Sequence, residues 1–332
     1  MTDRSTQPGS SRFISYSKEF GDVTGPEPRF YTVIETNAHE GPVYVAGENA
    51  LYFTTVPVSS DVPIAGGKRV EIVRVALEGE AFPLPPSALR TVRADSSMAN
   101  GMTLDAGGRL VICEQGTRAT PARISRMDLG TGVVETVVDG WRGLRFNSPN
   151  DVVVKSDGTV WFTDPSYGAL QGFKDAPMAG DFVYRYDPAS GAVSVVADSF
   201  NKPNGLAFSP DESLLYVNDS GAIQGPGTYR VNLPHHIRVF DVDGRLLRND
   251  RLFAVVTPGI PDGLKVDAAG RVYSSSASGI QVYDPHGGLI GEIVAPGVAN
   301  FTFGGPGNNV IYILADAVIW AAEIQATGAV RP

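Results

Sequence analysis

Short apolar segments that alternate with polar positions recur along the whole chain, and Gly, Pro, Asn, Asp or Ser residues bound each of them. Such alternation predicts half-buried β-strands joined by tight turns. Paired segments share one plan: a two-residue anchor, an apolar strand, a turn rich in Gly or Asp, and a second apolar strand. Four clear copies begin at Asn100, Asn150, Asn204 and Asp262. No long stretch has the 3.6-residue period of a capped helix, which disfavours a βαβ architecture.

Two further copies complete the series: a weaker one begins at Asn300, and a variant one begins at Glu40. Successive anchors lie 38 to 60 residues apart. One four-stranded propeller blade needs about 40 to 50 residues, to which loop insertions add. The segments at 181–198 and 237–250 fit the outer strands of such blades. The sequence therefore predicts an all-β fold, a six-bladed β-propeller.

The ends of the chain are expected to behave differently from its middle. We predict that residues 1–28, rich in Ser, Gly and Pro, form an N-terminal extension, and that residues 29–332 form a single propeller domain. A propeller must pair its first and last strands to avoid open sheet edges. The apolar segments at 30–35 and 318–324 are therefore predicted to pack near each other.

Composition mainly excludes classes of protein. Hydrophobic residues make up 42% and charged residues 19% of the chain, which is enough apolar material for a large core. A net charge of −9 without a basic run disfavours nucleic-acid and membrane partners. The lone cysteine, Cys113, allows no intramolecular disulfide, and the first residues lack the apolar region of a signal peptide. We expect a soluble, cytoplasmic protein whose oligomeric state the sequence leaves open.

The anchors carry the candidate chemistry. Any Asn-Gly or Asp-Gly pair could simply be a hairpin turn. Each copy, however, has its own turn seven to nine residues later, and the anchor stands before the first strand. The innermost strand of a blade lines the central channel, so residues at its start can converge on the axis. The set Glu40, Asn150, Asn204 and Asp262 would then offer two carboxylates and two amide oxygens to one point.

An oxygen-only set of this kind suits a hard divalent cation. Ca²⁺ tolerates irregular geometry better than Mg²⁺ does. Zinc prefers nitrogen and sulfur ligands, and the four histidines form neither an HxxxH motif nor a Cys/His cluster. We predict one divalent metal ion, Ca²⁺, with Mg²⁺ or Zn²⁺ as the alternatives.

At these anchors the chain resembles the gluconolactonase/SMP-30/luciferin-regenerating-enzyme family, above all its bacterial gluconolactonase and fungal lactonohydrolase branches. The resemblance covers roughly residues 30–320, and its most specific carriers are SPNDVVVKSDGTVWFTDPSYG at 148–168 and KPNGLAFSPDESLLYVND at 202–219; others are HEGPVY, LVICEQG and PDGLKVDAAGRVY. It implies a six-bladed propeller with a divalent metal on the axis. It also makes Glu40, Asn150, Asn204 and Asp262 the ligands and Asp262 the catalytic acid or base.

The resemblance implies metal-dependent hydrolysis of a small, gluconolactone-like lactone. The ion would polarise the carbonyl for attack by water, and Asp262 would move the proton. A metal-bound carboxylate is a poorer base, so Asp262 cannot serve both roles fully. A serine mechanism is disfavoured because no GxSxG motif occurs.

Two other functions remain open from the sequence. One is hydrolysis of a phosphotriester or phosphoryl fluoride, as in the similar diisopropyl-fluorophosphatase branch. The other is a non-enzymatic, calcium-stabilised propeller that binds other proteins. The recognisable residues are polar and are expected to face the axis, which favours an enzyme with a small-molecule lactone substrate.

Four more residues are candidates for substrate binding, and each has a structural alternative. Asn100 begins a blade but could be a turn, and Glu114 could be a surface carboxylate at a strand end. Tyr167, in TDPSYG, could lie at the pocket rim or merely in a turn. His236 ends an insertion, 220–236, that could be a lid or an ordinary loop.

A few other polar or reactive residues are expected to be structural. Asp164 and Asp219 occupy corresponding strand ends in neighbouring copies. His39 precedes Glu40 and should pack between blades rather than bind metal, because adjacent strand residues point to opposite faces. Cys113 alternates with apolar neighbours and should be a buried small hydrophobe rather than a nucleophile.

Overall fold

The computed structural model describes residues 12–59, 68–78, 82–225 and 227–329. In these residues the chain forms six antiparallel sheets, each built on four strands, as the blades of a propeller require. In five of them the four strands follow chain order, and in the sixth the outermost strand comes from residues 29–38. The prediction of a six-bladed β-propeller is confirmed. Within the described ranges, no helix is long and apolar enough to cross a membrane.

Blades are numbered here in the order of their innermost strands. The strands, from the axis outward, are in blade 1 Glu40–Val45, Ala50–Thr54, Ile72–Ala76 and Leu89–Arg93; in blade 2 Ala99–Leu104, Leu110–Glu114, Arg123–Met127 and Val134–Val138; in blade 3 Val152–Val154, Val160–Asp164, Phe182–Asp187 and Ala192–Ala197; in blade 4 Pro203–Phe208, Leu214–Asp219, His236–Asp243 and Leu246–Val255; in blade 5 Leu264–Val266, Val272–Ser275, Gly279–Tyr283 and Leu289–Val294; and in blade 6 Asn300–Gly304, Val310–Leu314, Asp316–Glu323 and Arg29–Ala38.

Short elements lie outside the blades. Two ladders of two-residue strands pair Val58–Ser59 with Lys68–Arg69 and Gly140–Trp141 with Leu144–Arg145. The helices are the α-helices Gly21–Thr24 and Tyr167–Leu170 and the 3₁₀ helices Lys18–Phe20, Ala46–Glu48 and Pro86–Ala88.

The core lies between the blades rather than in one central mass. Each hydrophobic cluster of the described residues joins side chains from two neighbouring sheets. Trp161 of blade 3, for example, is fully buried and packs edge-on against Phe208 of blade 4, with ring centroids 5.5 Å apart. Such an aromatic pair adds about 0.5–1.5 kcal/mol beyond its buried area. Packing on both faces explains why the second strand of each blade is almost continuously buried.

The ring closes through one sheet that contains both ends of the domain. The strand Arg29–Ala38 pairs with Asp316–Glu323, with Thr32 opposite Trp320. The predicted proximity of the segments at 30–35 and 318–324 is therefore confirmed. Three strands of blade 6 come from residues 300–323 and the fourth from residues 29–38. This pairing completes the sheet and joins the two ends of the propeller domain.

Residues before the closing strand also touch the propeller. Phe13–Ser15 adds a fifth strand to the outer edge of blade 5, and Phe20 is buried against Gly291 of that blade. Residues 1–11 of the predicted extension lie outside the described residues. The division of the chain at residue 28 stays a prediction.

Candidate active site at the propeller axis

The six anchors form a ring in which each blade touches the next. The amide of Gly101 in blade 2 donates to the carbonyl of Asn150 in blade 3 at 2.7 Å, and that of Gly205 in blade 4 donates to the carbonyl of Asp262 in blade 5 at 3.1 Å. Thr163 of blade 3 donates its hydroxyl to the carbonyl of Asn204 at 2.9 Å. These bonds bring the starts of the inner strands together around the axis.

Glycine follows most anchors because the blades approach too closely for a side chain. A Cβ on Gly101 would lie 2.5 Å from the carbonyl oxygen of Asn150, and one on Gly205 would overlap the carbonyl oxygen of Asp262. Real Cβ atoms do not reach such distances from backbone oxygens. The Asn-Gly and Asp-Gly pairs are therefore close-packing positions between blades, and their interpretation as hairpin turns is wrong.

Two carboxylates meet at this ring in a buried setting. Glu40 is only 4% exposed. Burial raises the pKa of Asp262 well above its usual range, and repulsion from Glu40 and from Asp151 raises it further. Burial likewise raises the pKa of Glu40, and Asp151 adds to the rise. Concentrated negative charge at a buried point is costly, and a divalent cation would relieve it.

The two amide anchors are buried at the same ring. Asn204 is 5% exposed, lies beside Asp262, and donates Nδ2 to the hydroxyl of Ser220 at 3.1 Å. Since Nδ2 is engaged in this way, its oxygen is the atom left for a cation. Asn150 is 6% exposed and is held in the ring through its carbonyl and through its amide, which donates to Thr163 at 2.9 Å.

The donor set fits a hard divalent cation. It comprises two carboxylates and two amide oxygens, which is oxygen-only ligation of the kind that Ca²⁺ prefers. In the described part of the chain, no three His, Cys, Asp or Glu side chains form a metal-binding group. The set proposed from the sequence contains only two such side chains, so a calcium site here would depend on the amides and on water.

In two neighbouring blades an Asp carboxylate accepts two successive backbone N–H groups and so fixes the loop before an amide anchor. In blade 3, Asp164 accepts the backbone N–H groups of Asn147 and Ser148 at 2.8 and 2.7 Å. In blade 4, Asp219 accepts those of Asn201 and Lys202, both at 2.9 Å. The expected structural role of Asp164 and Asp219 is confirmed by these bonds.

Of the predicted substrate-binding residues, Tyr167 and Asn100 lie at the ring. Tyr167 begins the short helix Tyr167–Leu170, and its hydroxyl lies beside Ser220 and Asn204. Burial, with Asp262 nearby, raises the pKa of Tyr167, so this hydroxyl stays neutral and can donate. Asn100 accepts a bond from Thr54 through its backbone carbonyl at 3.2 Å, and its buried Oδ1 has no protein partner.

Glu114 is placed in a buried ion network instead. Its side chain is 0% exposed and accepts bonds from Arg93 at 2.6 Å, Arg123 at 2.8 Å and Ser125 at 2.6 Å. The alternative of a surface carboxylate is excluded by this burial. Because both oxygens are occupied by protein groups, we do not include Glu114 in the proposed site.

Of three further residues, only His236 lies away from the anchors, whereas the charges of His39 and Glu40 interact and Cys113 also lies near Glu40. His236 starts the third strand of blade 4, two strands out from the axis, and its buried Nε2 has no hydrogen-bond partner in the structure. His39 pairs with Asp316 of blade 6 at 2.6 Å, which agrees with packing between blades. Cys113 is completely buried, and burial raises the pKa of its thiol. The prediction that Cys113 is a buried small hydrophobe is confirmed.

The structure adds residues that sequence reasoning had missed. Asn300, the anchor of blade 6, donates Nδ2 to Glu40 Oε2 at 2.7 Å. Asp151 supplies a third negative charge close to Glu40 and Asp262. Both could have been found, since Asn300 starts the sixth copy of the repeat and Asp151 directly follows a proposed ligand.

Two cavities lie near the ring. One, of about 220 Å³, runs along the axis and is lined by the inner strands of all six blades. The other, of about 200 Å³, lies between blades 2 and 3 and is lined by Arg118, Arg145 and Lys174 among others. None of the four anchor side chains proposed as ligands lines either cavity.

Residues 38–316 match the family model SMP-30/Gluconolactonase/LRE-like region, which is most of the chain. The chain belongs to this family. The gluconolactonase of Zymomonas mobilis is 31% identical, over 93% of this chain and 89% of that protein. This resemblance was the one expected from the motifs around Glu40, Asn150 and Asn204.

Solved structures of the family superpose on this chain. The gluconolactonase XC5397 of Xanthomonas campestris is 30% identical with a TM-score of 0.76, over 95% of each chain. Regucalcin of Agrobacterium tumefaciens, a calcium-binding protein, has a TM-score of 0.64 over 91% of this chain and 98% of that one. At 16% identity, the second likeness shows the fold alone.

Proposed function

We propose that the protein is a lactonase that hydrolyses a small, gluconolactone-like sugar lactone with one bound divalent cation, Ca²⁺. The proposed ligands are Glu40, Asn150, Asn204 and Asp262. The observation that carries the proposal is the meeting of Glu40, Asn204 and Asp262 from three different blades in a chain of the gluconolactonase family. The lone, buried Cys113 agrees with a reducing compartment, so we include a cytoplasmic location in the proposal.

When bound, the cation would supply Lewis-acid chemistry at the lactone carbonyl. Asp262 accepts a proton from the attacking water and returns it to the ring oxygen as the ester C–O bond breaks, so the product is a hydroxy acid. Both roles of Asp262 compete, because its carboxylate is also a proposed ligand. Burial of the neighbouring carboxylates keeps bulk water from screening the reacting groups.

Other residues of the ring orient the substrate. The neutral hydroxyl of Tyr167 lies beside Ser220 and Asn204 at the ring and can donate a hydrogen bond to a substrate hydroxyl. The unpartnered Oδ1 of Asn100 can accept a hydrogen bond from another hydroxyl. A polyhydroxylated lactone offers such groups, whereas a plain aliphatic lactone does not.

The test combines metal content with a substrate panel. Purified protein is stripped with a chelator, assayed with aldonolactones, a simple aliphatic lactone and an organophosphorus fluoride, and assayed again after Ca²⁺, Mg²⁺ or Zn²⁺ is restored. We expect aldonolactone hydrolysis that disappears with chelation and returns with Ca²⁺. Asp262→Asn should remove turnover and metal, whereas Asp284→Asn, at a partly exposed turn residue of blade 5, should leave both unchanged.

The same panel decides between the alternative functions. Turnover of the organophosphorus fluoride alone would favour the phosphoryl-fluoride hydrolase. Calcium uptake without any turnover would favour the binding propeller. Full lactonase activity in the Asp262→Asn variant would overturn the proposed centre.

A further inference from the structure

Asn300 is built into the ring as a partner of Glu40. It starts the inner strand of blade 6, is 2% exposed, and donates Nδ2 to Glu40 Oε2 at 2.7 Å. The backbone amide of Gly41 donates to the same oxygen at 3.2 Å. Both hydrogen bonds that the described residues give to the Glu40 carboxylate therefore go to Oε2, which leaves Oε1 as the oxygen available to a ligand.

The orientation of the Asn300 amide is itself fixed. Its Oδ1 accepts the backbone N–H of Phe301 at 2.8 Å and lies 3.5 Å from the ammonium of Lys265. Two donors on the oxygen side leave only one flip state in which every contact is satisfied. Asn300 can thus present an N–H, and not an oxygen, to Glu40.

Lys265 places a positive charge at the axis, next to the Asn300 amide. Its side chain lines the axial cavity of about 220 Å³, and its ammonium also donates to the carbonyl of Leu264 at 3.0 Å. A hydrogen bond to an ionised group is stronger than a neutral one, and it polarises the groups linked to it. The ammonium therefore strengthens the N–H that Asn300 donates, and this bond favours the ionised form of Glu40.

We propose that Asn300 and Lys265 are positioning residues that hold Glu40 Oε2 and thereby set the orientation of Oε1 toward a cation at the axis. This inference rests on the metal centre of the proposed function. Residues that orient a metal ligand typically change metal affinity by about 10- to 100-fold when they are removed. Asn300 has the geometry of such a residue, because it contacts one oxygen of a proposed ligand and is locked by its other contacts.

Calcium titration calorimetry of the chelator-stripped protein tests the proposal. Asn300→Leu removes the N–H at nearly constant volume, and we expect it to weaken calcium binding about 10- to 100-fold. Lys265→Met keeps the amide and removes only the charge, so the loss should have the same direction and be smaller. Asn309→Leu is the matched control: the same change in the same blade, at an amide that donates to the carbonyl of Ile324.

A merely structural role predicts a different result. In that case the thermal midpoint of the calcium-free variant falls, but the calcium Kd measured on folded protein stays that of the wild type, and this result would overturn the inference. If Asn300→Leu does not fold, the test rests on Lys265→Met. An unchanged calcium Kd in that variant would then overturn the inference. If the wild-type protein itself takes up no Ca²⁺, the metal centre is wrong and the inference fails with it.

Discussion

At the scale of single residues, the glycines that follow the anchors are required by close packing between blades, which the repeat in the sequence did not reveal. The repeat located them, and their neighbours were predicted as inner-strand residues at the axis. Why glycine is required became visible only with the neighbouring blade in place, because the carbonyl of Asp262 occupies the space of a Cβ on Gly205. A contact between residues 57 positions apart leaves no local pattern in a single sequence.

Gly205→Ala tests this close packing. The added methyl group overlaps backbone that cannot swing away, so we expect Asp262 to shift and the protein to lose about 1–3 kcal/mol of unfolding free energy, as overpacked sites do. Calcium affinity should fall as well. Gly47→Ala is the control, since a Cβ there meets no atom within 4 Å. Equal denaturation midpoints for the two variants would contradict the packing account.

The role of Glu114 could not be predicted from the sequence. Its place at a strand end suggested either a surface carboxylate or a substrate contact. Its partners Arg93, Arg123 and Ser125 come from other strands and are 9 to 21 positions away. Only the pairing of strands in blades 1 and 2 brings two guanidinium groups to one buried carboxylate.

The network makes Glu114 a stability residue with a defined pH dependence. Burial would raise the pKa of Glu114, but the bonds from Arg93 and Arg123 outweigh it and lower this pKa. The stabilisation is therefore complete above the unfolded-state pKa and is lost as the pH falls through the lower folded-state value. Glu114→Gln should cost up to about 3–5 kcal/mol at pH 7, because it leaves two partly buried guanidinium groups unpaired.

Denaturant unfolding at pH 7 and at pH 3 measures both effects. The difference between wild type and Glu114→Gln should shrink at the lower pH, where the wild-type carboxylate begins to protonate. Glu135→Gln is the control, because Glu135 is 57% exposed and its pairs with Arg109 and Arg126 lie at the surface. A Glu114→Gln variant as stable as this control would remove the assigned role.

At the scale of elements, closure of the ring was predictable and the attachment of the first residues was not. An apolar alternating strand at each end of a propeller has to find a partner, so the pairing of Arg29–Ala38 with Asp316–Glu323 follows from the need to cover sheet edges. The strand Phe13–Ser15 has no such requirement. Its three residues carry too little pattern to identify it.

The two N-terminal strands should therefore contribute differently to the free energy of unfolding. Ile34 of the closing strand is 1% exposed, whereas Ile14 of the added strand is 39% exposed. Ile34→Ala should destabilise by about 2–5 kcal/mol, since it opens a cavity between blades 6 and 1. Ile14→Ala should change the free energy of unfolding by no more than about 0.5 kcal/mol. Comparable losses in urea unfolding would show that the added strand also holds the ring.

At the scale of the whole molecule, the axis gathers carboxylates whose charge the neighbouring His39 offsets only in part. Glu40 and Asp151 raise the pKa of Asp262, and Asp151 also raises that of Glu40. The sequence predicted two of these carboxylates and the oxygen-only set around them. The third, and the amide of Asn300 beside Glu40, were not assigned because a single repeat copy does not reveal which side chains face one another.

Calcium should consequently stabilise the folded ring. A ligand at 100 times its Kd adds about 2.7 kcal/mol, which for a chain of this length corresponds to a rise of about 4 °C in thermal midpoint. Differential scanning calorimetry with a chelator and with added Ca²⁺ measures the shift. Asp262→Asn serves as the control and should show none. An identical midpoint for the wild-type protein in both conditions would argue against a cation at the axis.

The shared sheet of blade 6 also orders events during synthesis. Arg29–Ala38 leaves the ribosome before the strands of blades 1 to 5, and its partner Asp316–Glu323 leaves after them. At about 5–20 residues per second, the first strand waits roughly 15 to 60 s for that partner. Glu40 waits nearly as long for Asn300, which lies 260 positions later. A nascent chain can stack its middle blades early, but the proposed centre is complete only after Asn300 and the strand Asp316–Glu323 have been made.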